Sequence, residues 1–169
     1  MQKRVSQLLI VVLLSALLAS CGFHLRGNIP LSEGLKVMYL NAPEGSFKDE
    51  LSRVLTKAGA TITESKAGAD VVLRVTKVDT DRTVGTLDDT GKANSYNLRL
   101  RVRYVLKDLN GKNIRKPSTI RESRRYNFDP EFVIESESEE AELLEDMEQD
   151  IALRIVRKLS TITDYQPEN

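Results

Sequence analysis

Basic side chains recur at every second residue in one stretch of the chain. From residue 97 to residue 104 they alternate with apolar side chains, and the basic members are Arg99, Arg101 and Arg103, with Lys107 further along on the same face. Successive side chains of a β-strand point to opposite faces, so these residues share one face of a predicted strand. Guanidinium groups on this strand and its neighbour, which carries Arg121, can bind a phosphate or a carboxylate through paired hydrogen bonds. A solvated basic surface is the alternative, and the sequence favours neither.

Charge is unevenly distributed along a chain that is neutral overall, with 25 basic and 25 acidic residues among 169. Residues 97–125 contain ten Lys or Arg and two acids, whereas residues 131–150 contain ten acids and no base. The neutral total argues against a surface made for nucleic acid. Like charges on neighbouring strands cost stability unless a partner neutralises them, so the basic stretch is a candidate binding surface.

Cys21 is the only cysteine, and it stands where a lipid anchor would be attached. A cationic start and an apolar run from Leu8 to Ala19 precede it, and this run is too short to span a membrane stably. Leu18-Ala19-Ser20-Cys21 resembles the bacterial lipobox, in which the thiol takes a diacylglyceryl group. We therefore expect residues 1–20 to be a cleaved signal peptide, with covalent diacylglyceryl and N-acyl groups on Cys21 and no other cofactor. A free cysteine behind an ordinary signal peptide is the alternative.

The chain offers little for catalysis or metal binding. His24 is the only histidine and lies three residues after Cys21, which is a poor position for a general base. One Cys and one His exclude a zinc cage by counting. Four aspartates between residues 79 and 89 do not match the spacing of a calcium loop. We therefore expect no enzyme activity, no catalytic residue and no metal site.

Two amphipathic helices are predicted around the basic strand. The first begins with Ser46 as its N-cap and ends at Gly59, with apolar residues at helical spacing between them. The second is predicted from about Ser138 to Ile162, with acids at its start and bases at its end, which complements the helix dipole. Residues 163–169 are expected to form a frayed tail.

The remaining elements are predicted as strands. Residues 36–40 are typical of a short strand, and residues 71–78 of a strand with a bulge, because their alternation is imperfect. The Asp-, Thr- and Gly-rich stretch 79–91 is predicted to hold the end of that strand and a turn. Whether residues 60–64 join the sheet stays open.

A turn near Gly111 would join the arginine strand to the strand that carries Arg121. A two-residue turn would place Arg121 opposite Leu100 and mix the two faces, because a slip of one residue flips every side chain. A three-residue loop with Gly111 in the left-handed region keeps the apolar residues together. This register predicts two apolar pairs, Leu100 with Ile120 and Leu106 with Ile114.

These elements predict an α+β fold, a two-layer sandwich in which two amphipathic helices pack on one face of a mixed, mostly antiparallel sheet of four to five strands. The domain would extend from residue 35 to residue 162 behind a lipidated tether of residues 21–34. The other face of the sheet would be bare and would carry the arginines.

Three segments resemble the LptE family of lipopolysaccharide-assembly lipoproteins. The start Cys21-Gly22-Phe23-His24-Leu25-Arg26-Gly27 is the most specific, and the others are Arg125-Tyr126-Asn127-Phe128-Asp129 and Ile155-Val156-Arg157-Lys158-Leu159. The resemblance implies a lipoprotein anchored on the periplasmic side of the outer membrane. It implies a 1:1 plug and assembly partner of an LptD-type β-barrel that inserts lipopolysaccharide at the cell surface. Gly22 after the cysteine fits the sorting rule for the outer membrane.

The resemblance also implies lipopolysaccharide contact through basic residues near a loop and a sheet edge. The loop at residues 88–92 is mainly acidic here and leaves only Lys92 and the nearby Arg82. The candidate residues for contact with lipopolysaccharide or barrel are therefore Arg99, Arg101, Arg103, Arg121, Lys92 and Arg82. Arg101→Glu is predicted to weaken this binding and to change stability by no more than roughly 0.5 kcal/mol. The alternative function is a stand-alone envelope lipoprotein whose arginine face binds an anionic glycolipid or cell-wall ligand.

Overall fold

The computed structural model describes residues 30–167. It contains five strands and two helices, which are β1 (Val37–Asn41), α1 (Ser46–Lys57), β2 (Thr61–Thr63), β3 (Val71–Leu87), β4 (Ala93–Lys107), β5 (Ser118–Asn127) and α2 (Val133–Ser160). The strands form one sheet in the order β2-β1-β3-β4-β5. β1 runs parallel to β2 and β3, and the other pairs are antiparallel. The predicted α+β fold is confirmed, and residues 61–63 join the sheet as an edge strand.

Both helices pack on the same face of the sheet. α1 buries Phe47, Leu51, Val54 and Leu55 at helical spacing and is followed by Gly59, whose φ of +91° only glycine adopts readily. Ser46 is not the N-cap. Its hydroxyl instead donates to the buried Glu148 of α2 at 2.8 Å, which ties the two helices together.

β3 is longer than the composition of residues 79–91 predicts. It continues to Leu87, because its partner β4 pairs with it through to Ala93. The pairing register shifts between Val75 and Lys77, as the predicted bulge requires. The shift exchanges the faces of the strand, so that polar and charged side chains beyond it point away from the helices.

The β4–β5 connection confirms part of the predicted register. Gly111 has a φ of +88°, and the Ile114 amide donates to the Leu106 carbonyl at 2.9 Å, so the three-residue loop is correct. The predicted Leu100–Ile120 pair is wrong, because Val102 and not Leu100 lies opposite Ile120. Two extra residues enter on the β5 side before Ser118. A shift of two keeps every side chain on its predicted face.

The core lies between the helices and the covered face of the sheet. The fully buried side chains of this layer include Leu73, Leu98, Leu100, Met147, Ile151 and Ile155. α2 starts five residues before the predicted Ser138, and its first turns expose apolar residues. Within residues 30–167, no helix has the length and apolar character needed to cross a membrane.

Candidate functional site

The uncovered side of the sheet presents rows of polar residues across β3, β4 and β5. Strand pairing sets them side by side as Lys77–Arg103–Thr119, Asp79–Arg101–Arg121, Asp81–Arg99–Ser123 and Thr83–Asn97–Arg125. We call these twelve residues the bare face. They include Arg99, Arg101, Arg103 and Arg121, so the structure brings four of the predicted contact residues together. The bare face carries six basic and two acidic side chains.

Two aspartates of β3 neutralise part of this basic surface. Asp79 accepts from Arg101 at 2.8 Å and lies 3.1 Å from the Lys77 ammonium. Asp81 lies 3.4 Å from Arg99 and 4.0 Å from Arg101. Arg99 and Arg101 of β4 are therefore held by opposite charges on β3, and part of the cross-strand repulsion is removed.

Arg103 and Arg121 remain without an acidic partner in the part of the chain that the structure describes. They lie on adjacent strands, one row apart, and both are exposed. Diagonal neighbours of this kind are roughly 7–8 Å apart between backbones, within reach of two long side chains that share one ligand. Arg103 and Arg121 are thus the residues of the bare face best placed to receive an external phosphate or carboxylate.

Arg82 lies on the opposite side of the sheet, facing α2. It donates to Glu140 at 2.8 Å, and its guanidinium carbon lies 4.6 Å from the centre of the Tyr96 ring. The Tyr126 hydroxyl also donates to Glu140. This contact set indicates a structural role for Arg82, which joins β3 to the start of α2.

The contacts among Arg82, Tyr126 and Glu140 shift the pKa values of the tyrosine and of the glutamate. Burial raises the pKa of Tyr126, and the bond to Glu140 raises it further. Burial alone would raise the pKa of Glu140, but hydrogen bonds from Tyr126 and Arg82 outweigh burial and lower it. Glu140 therefore stays ionised beside Arg82 at neutral pH.

Lys92 lies at the tip of the β3–β4 hairpin, away from the bare-face rows. In this tip the Asp88 carboxylate accepts from the Lys92 amide at 2.9 Å and from the Thr90 amide and hydroxyl at 2.8 Å. These hydrogen bonds hold the pKa of Asp88 below its ordinary value, and the bond from the Lys92 amide contributes most. The tip is a hydrogen-bonded turn in which the Lys92 side chain is exposed.

The sequence analysis missed Lys77, Arg125 and the two aspartates of the bare face. A usable signal was present, because Lys77, Asp79, Asp81 and Thr83 occupy alternate positions and Asp-x-Asp complements Arg-x-Arg. The composition of the stretch, which is typical of turns, concealed it. Cys21, His24 and the predicted signal peptide lie outside the described residues.

An apolar cluster is exposed at the hairpin end of the domain. Its members are Val84, Leu87, Phe132, Val133 and Ile134, with exposures between 41% and 78%. Phe132 lines an open cavity with Asn94 and Asn127, which places the start of α2 beside the hairpin. Exposed apolar residues grouped at one end mark a contact surface. Among residues 30–167, no group of His, Cys, Asp or Glu is placed to hold a metal ion.

Comparison with known proteins connects this architecture to a family. The sequence pattern of the LptE family, described as lipopolysaccharide-assembly, matches residues 34–159. The chain belongs to this family. The match covers both helices and all five strands, and the family is non-enzymatic. No curated protein matches the chain.

Solved lipoprotein structures share the fold. A minor lipoprotein from Acinetobacter baumannii has 27% identity and a TM-score of 0.65, with 82% of this chain and 100% of that chain covered. The uncharacterized lipoprotein B from Nitrosomonas europaea has 23% identity and a TM-score of 0.68, covering 83% and 91%. The rare lipoprotein B from Shewanella oneidensis has 20% identity and a TM-score of 0.63, covering 73% and 93%. The last two likenesses bear on the fold alone. The family match, together with the likeness to the Acinetobacter baumannii lipoprotein, supports a lipopolysaccharide-assembly lipoprotein of the envelope.

Proposed function

We propose that this LptE-family lipoprotein is the plug and assembly partner of an LptD-type β-barrel in the outer membrane. It would bind the barrel 1:1 from the periplasmic side and support lipopolysaccharide insertion at the cell surface. The observation that carries the proposal is the bare face, a polar sheet surface that neither helix covers. The wide lumen of a large outer-membrane barrel is polar, so a bare face of this character can pack inside it.

The length of the central hairpin also supports the proposal. β3 has 17 residues and β4 has 15. At about 3.3 Å per residue, the paired strands extend roughly 50 Å, which exceeds the bilayer thickness of about 40–45 Å including headgroups. A hairpin of this length can reach from the periplasmic mouth of a barrel through its lumen.

The charge distribution suggests how the two proteins would meet. The Asp79–Arg101 and Asp81–Arg99 pairs are internally satisfied, so burying them against a polar wall leaves no uncompensated charge. Arg103 and Arg121 lack such partners and would bind acidic groups of the barrel or phosphates of lipopolysaccharide. The exposed apolar cluster at the hairpin end would contact the acyl chains or apolar side chains near the outer mouth.

The anchor would hold the domain at the membrane. Acylated Cys21 lies nine residues before Pro30, the first described residue, so the tether spans at most about 30 Å. Multiple acyl chains make release from the membrane negligible. Binding to the barrel would therefore occur at high effective concentration within one membrane leaflet.

Affinity purification from detergent-solubilised outer membrane tests the proposal. The tagged wild-type chain should retain an outer-membrane barrel in equal molar amount after stringent washing, and its depletion should lower barrel levels. Arg103→Glu combined with Arg121→Glu should reduce the retained barrel by at least about tenfold, since each charge-assisted hydrogen bond contributes roughly 1.5–3 kcal/mol.

A matched control carries the same charge change elsewhere. Lys57→Glu combined with Lys66→Glu alters two exposed lysines outside the bare face, one at the end of α1 and one in the connection between β2 and β3. This variant should retain the barrel as the wild type does. If the wild type retains no barrel, the plug proposal fails.

The alternative is a stand-alone lipoprotein, and the unpaired Arg103 and Arg121 favour it independently of any barrel. In that case the wild type should bind an anionic glycolipid, the bare-face double variant should not, and depletion should leave barrel levels unchanged.

A further inference from the structure

A second site lies at the end of the sandwich where α2 finishes. Between the Lys107–Asn113 bridge and Ser118, the β5 side has two residues more than β4, so the chain leaves the β4–β5 ladder there. Pro117, just before Ser118, has no N–H and cannot donate a ladder hydrogen bond. The ladder is interrupted between the Lys107–Asn113 bridge and the Tyr104–Ser118 pair. A pocket of about 460 Å³ opens at this interruption, between the segment that leaves the ladder and the last turn of α2. Its volume is within the usual range of small-molecule sites, about 300–1,000 Å³.

The floor of this pocket is apolar. Leu106 from β4 and Leu159 and Ile162 from the end of α2 line it, and each of the three is at most 7% exposed. Ile114, whose amide donates to the Leu106 carbonyl just before the interruption, packs against the same core and lines one side of the pocket. The floor therefore offers aliphatic surface continuous with the core, which suits an acyl chain.

The rim of the pocket is cationic. Arg115, Lys116 and Lys158 line it and are exposed, and no acidic residue takes part in the lining. None of the three forms an ion pair with another of residues 30–167. The partial negative charge at the C-terminal end of α2 explains why a cation such as Lys158 is favourable there. It does not explain Arg115 and Lys116, which come from a different segment.

Tyr104 adds no negative charge to the pocket. Burial raises the pKa of its phenol, and a hydrogen bond involving Ser118 opposes this rise only in part. The phenol is neutral at physiological pH. The pocket thus combines three uncompensated positive charges with an aliphatic floor, two features that match the two parts of an anionic lipid.

We propose that this pocket binds a phosphate-headed amphiphile, with its acyl chain on the Leu106–Leu159–Ile162 floor and its phosphate held by Arg115, Lys116 and Lys158. Arginine and lysine both suit phosphate, arginine through paired hydrogen bonds and lysine as a point charge. The proposal goes beyond the plug function, because the pocket shares no residue with the bare face. A variant that no longer binds the barrel should still bind the amphiphile in this pocket.

Photolabelling tests the proposal on the full lipidated chain in phosphatidylcholine nanodiscs. The probe is dodecyl phosphate with a diazirine near the end of its alkyl chain, whose net negative charge distinguishes it from the zwitterionic phosphatidylcholine, and the labelled residues are mapped by mass spectrometry. Labels should fall on the segments that line the pocket floor. Unlabelled dodecyl phosphate should compete well, whereas inorganic phosphate and neutral dodecyl maltoside should compete poorly.

Charge-reversal variants sharpen the test. Arg115→Glu, Lys116→Glu and Lys158→Glu should each weaken competition by dodecyl phosphate by roughly tenfold, because each removes one charge-assisted contact. Arg157→Glu is the matched control, since it changes the same charge on the same turn of α2 outside the pocket. It should alter competition by less than about twofold.

Four results would overturn the proposal. Equal competition by inorganic phosphate would show a simple anion site without a role for the acyl chain. Equal competition by dodecyl maltoside would show an apolar site without a role for the cations. Labelling that misses the pocket, or an Arg157→Glu effect as large as that of Lys158→Glu, would refute the assignment of these residues.

Discussion

The two faces of the central sheet carry the same kinds of charged residue but use them differently. On the face covered by α2, the carboxylate of Glu122 is 8% exposed and binds Arg124 and Arg154, so it joins the sheet to the helix. On the bare face, Asp79 and Arg101 are each 31% exposed and join only neighbouring strands. Charge on the covered face holds the two layers together, whereas charge on the bare face remains accessible to another molecule.

The covered face also accounts for the uneven charge of the sequence. The basic strand β5 and the acidic helix α2 meet through Arg124, which binds Asp150 at 2.8 Å and also Glu122. Arg82 binds Glu140 in the same way. Part of the asymmetry read from the sequence is therefore internal pairing between layers, whereas Arg103 and Arg121 of the bare face and the three cations of the pocket rim form no ion pair with another described residue.

Two adjacent residues of β4 give the sharpest stability comparison between the faces. Leu100 is fully buried against the helices, and Arg101 is on the bare face. Leu100→Ala should cost about 3 kcal/mol of unfolding free energy, because it leaves a cavity in a close-packed core. Arg101→Ala should cost less than about 1 kcal/mol, as exposed ion pairs usually do. Urea unfolding of both variants measures this, and equal losses would contradict the assignment of the faces.

Glu122 tests whether charge on the covered face is structural. Glu122→Gln should cost about 2 kcal/mol, because it leaves two arginine guanidinium groups without the carboxylate that both contact. The partial exposure of those arginines keeps the cost below that of a fully buried pair. The same urea measurement applies, with Asp81→Asn on the bare face as the control, which should lose less than about 1 kcal/mol. A Glu122→Gln variant as stable as the wild type would count against the interlayer role.

Much of this fold was predictable because its signals are local. Strict alternation from Leu98 to Leu106 identified the faces of β4, and Gly111 identified the loop. The continuation of β3 beyond Val78 was not predictable in this way, because Asp, Thr and Gly favour turns and only pairing with β4 makes them a strand. The two extra residues before Ser118 likewise follow from tertiary packing, so the sequence predicted the side-chain faces and the Leu106–Ile114 pair correctly but not the Leu100–Ile120 pair.

Glu148 gives a smaller, pH-dependent test of the covered side. Burial raises its pKa above the ordinary value, nearby Glu50 and Glu145 add to the rise, and the bond from Ser46 opposes it. A raised folded-state pKa means that the contribution of Glu148 to stability is full below its unfolded pKa and is lost as pH rises through the folded pKa. Glu148→Gln should therefore match the wild type near pH 4 and exceed its stability by about 1 kcal/mol or less at pH 7.5.

Unfolding of both proteins across this pH range measures the difference. Glu50→Gln is a useful companion variant, because it removes one of the neighbouring negative charges while leaving Glu148 in place. A Glu148→Gln variant that is less stable than the wild type at pH 7.5 would contradict the raised pKa of Glu148 in the folded protein.

Arg121→Glu should have the smallest effect on stability, within about 0.5 kcal/mol, because its side chain is exposed and forms no ion pair with another described residue. Arg101→Glu is a poorer probe than the sequence suggested, since it would place a third carboxylate beside Asp79 and Asp81 and so lower stability as well as binding. Thermal unfolding of the two variants distinguishes them, and a larger loss for Arg121→Glu would contradict the pairing on the bare face.

Site-specific photocrosslinking in intact cells tests most directly whether the bare face meets the barrel. A benzoylphenylalanine at Ser123, which is exposed in the Asp81–Arg99 row, should give a strong adduct with the LptD-type barrel. The same group at Gln149, exposed on α2, should give a much weaker one. Absence of a barrel adduct at Ser123, or an adduct at Gln149 of equal yield, would contradict the claim that the uncovered sheet is the surface that docks.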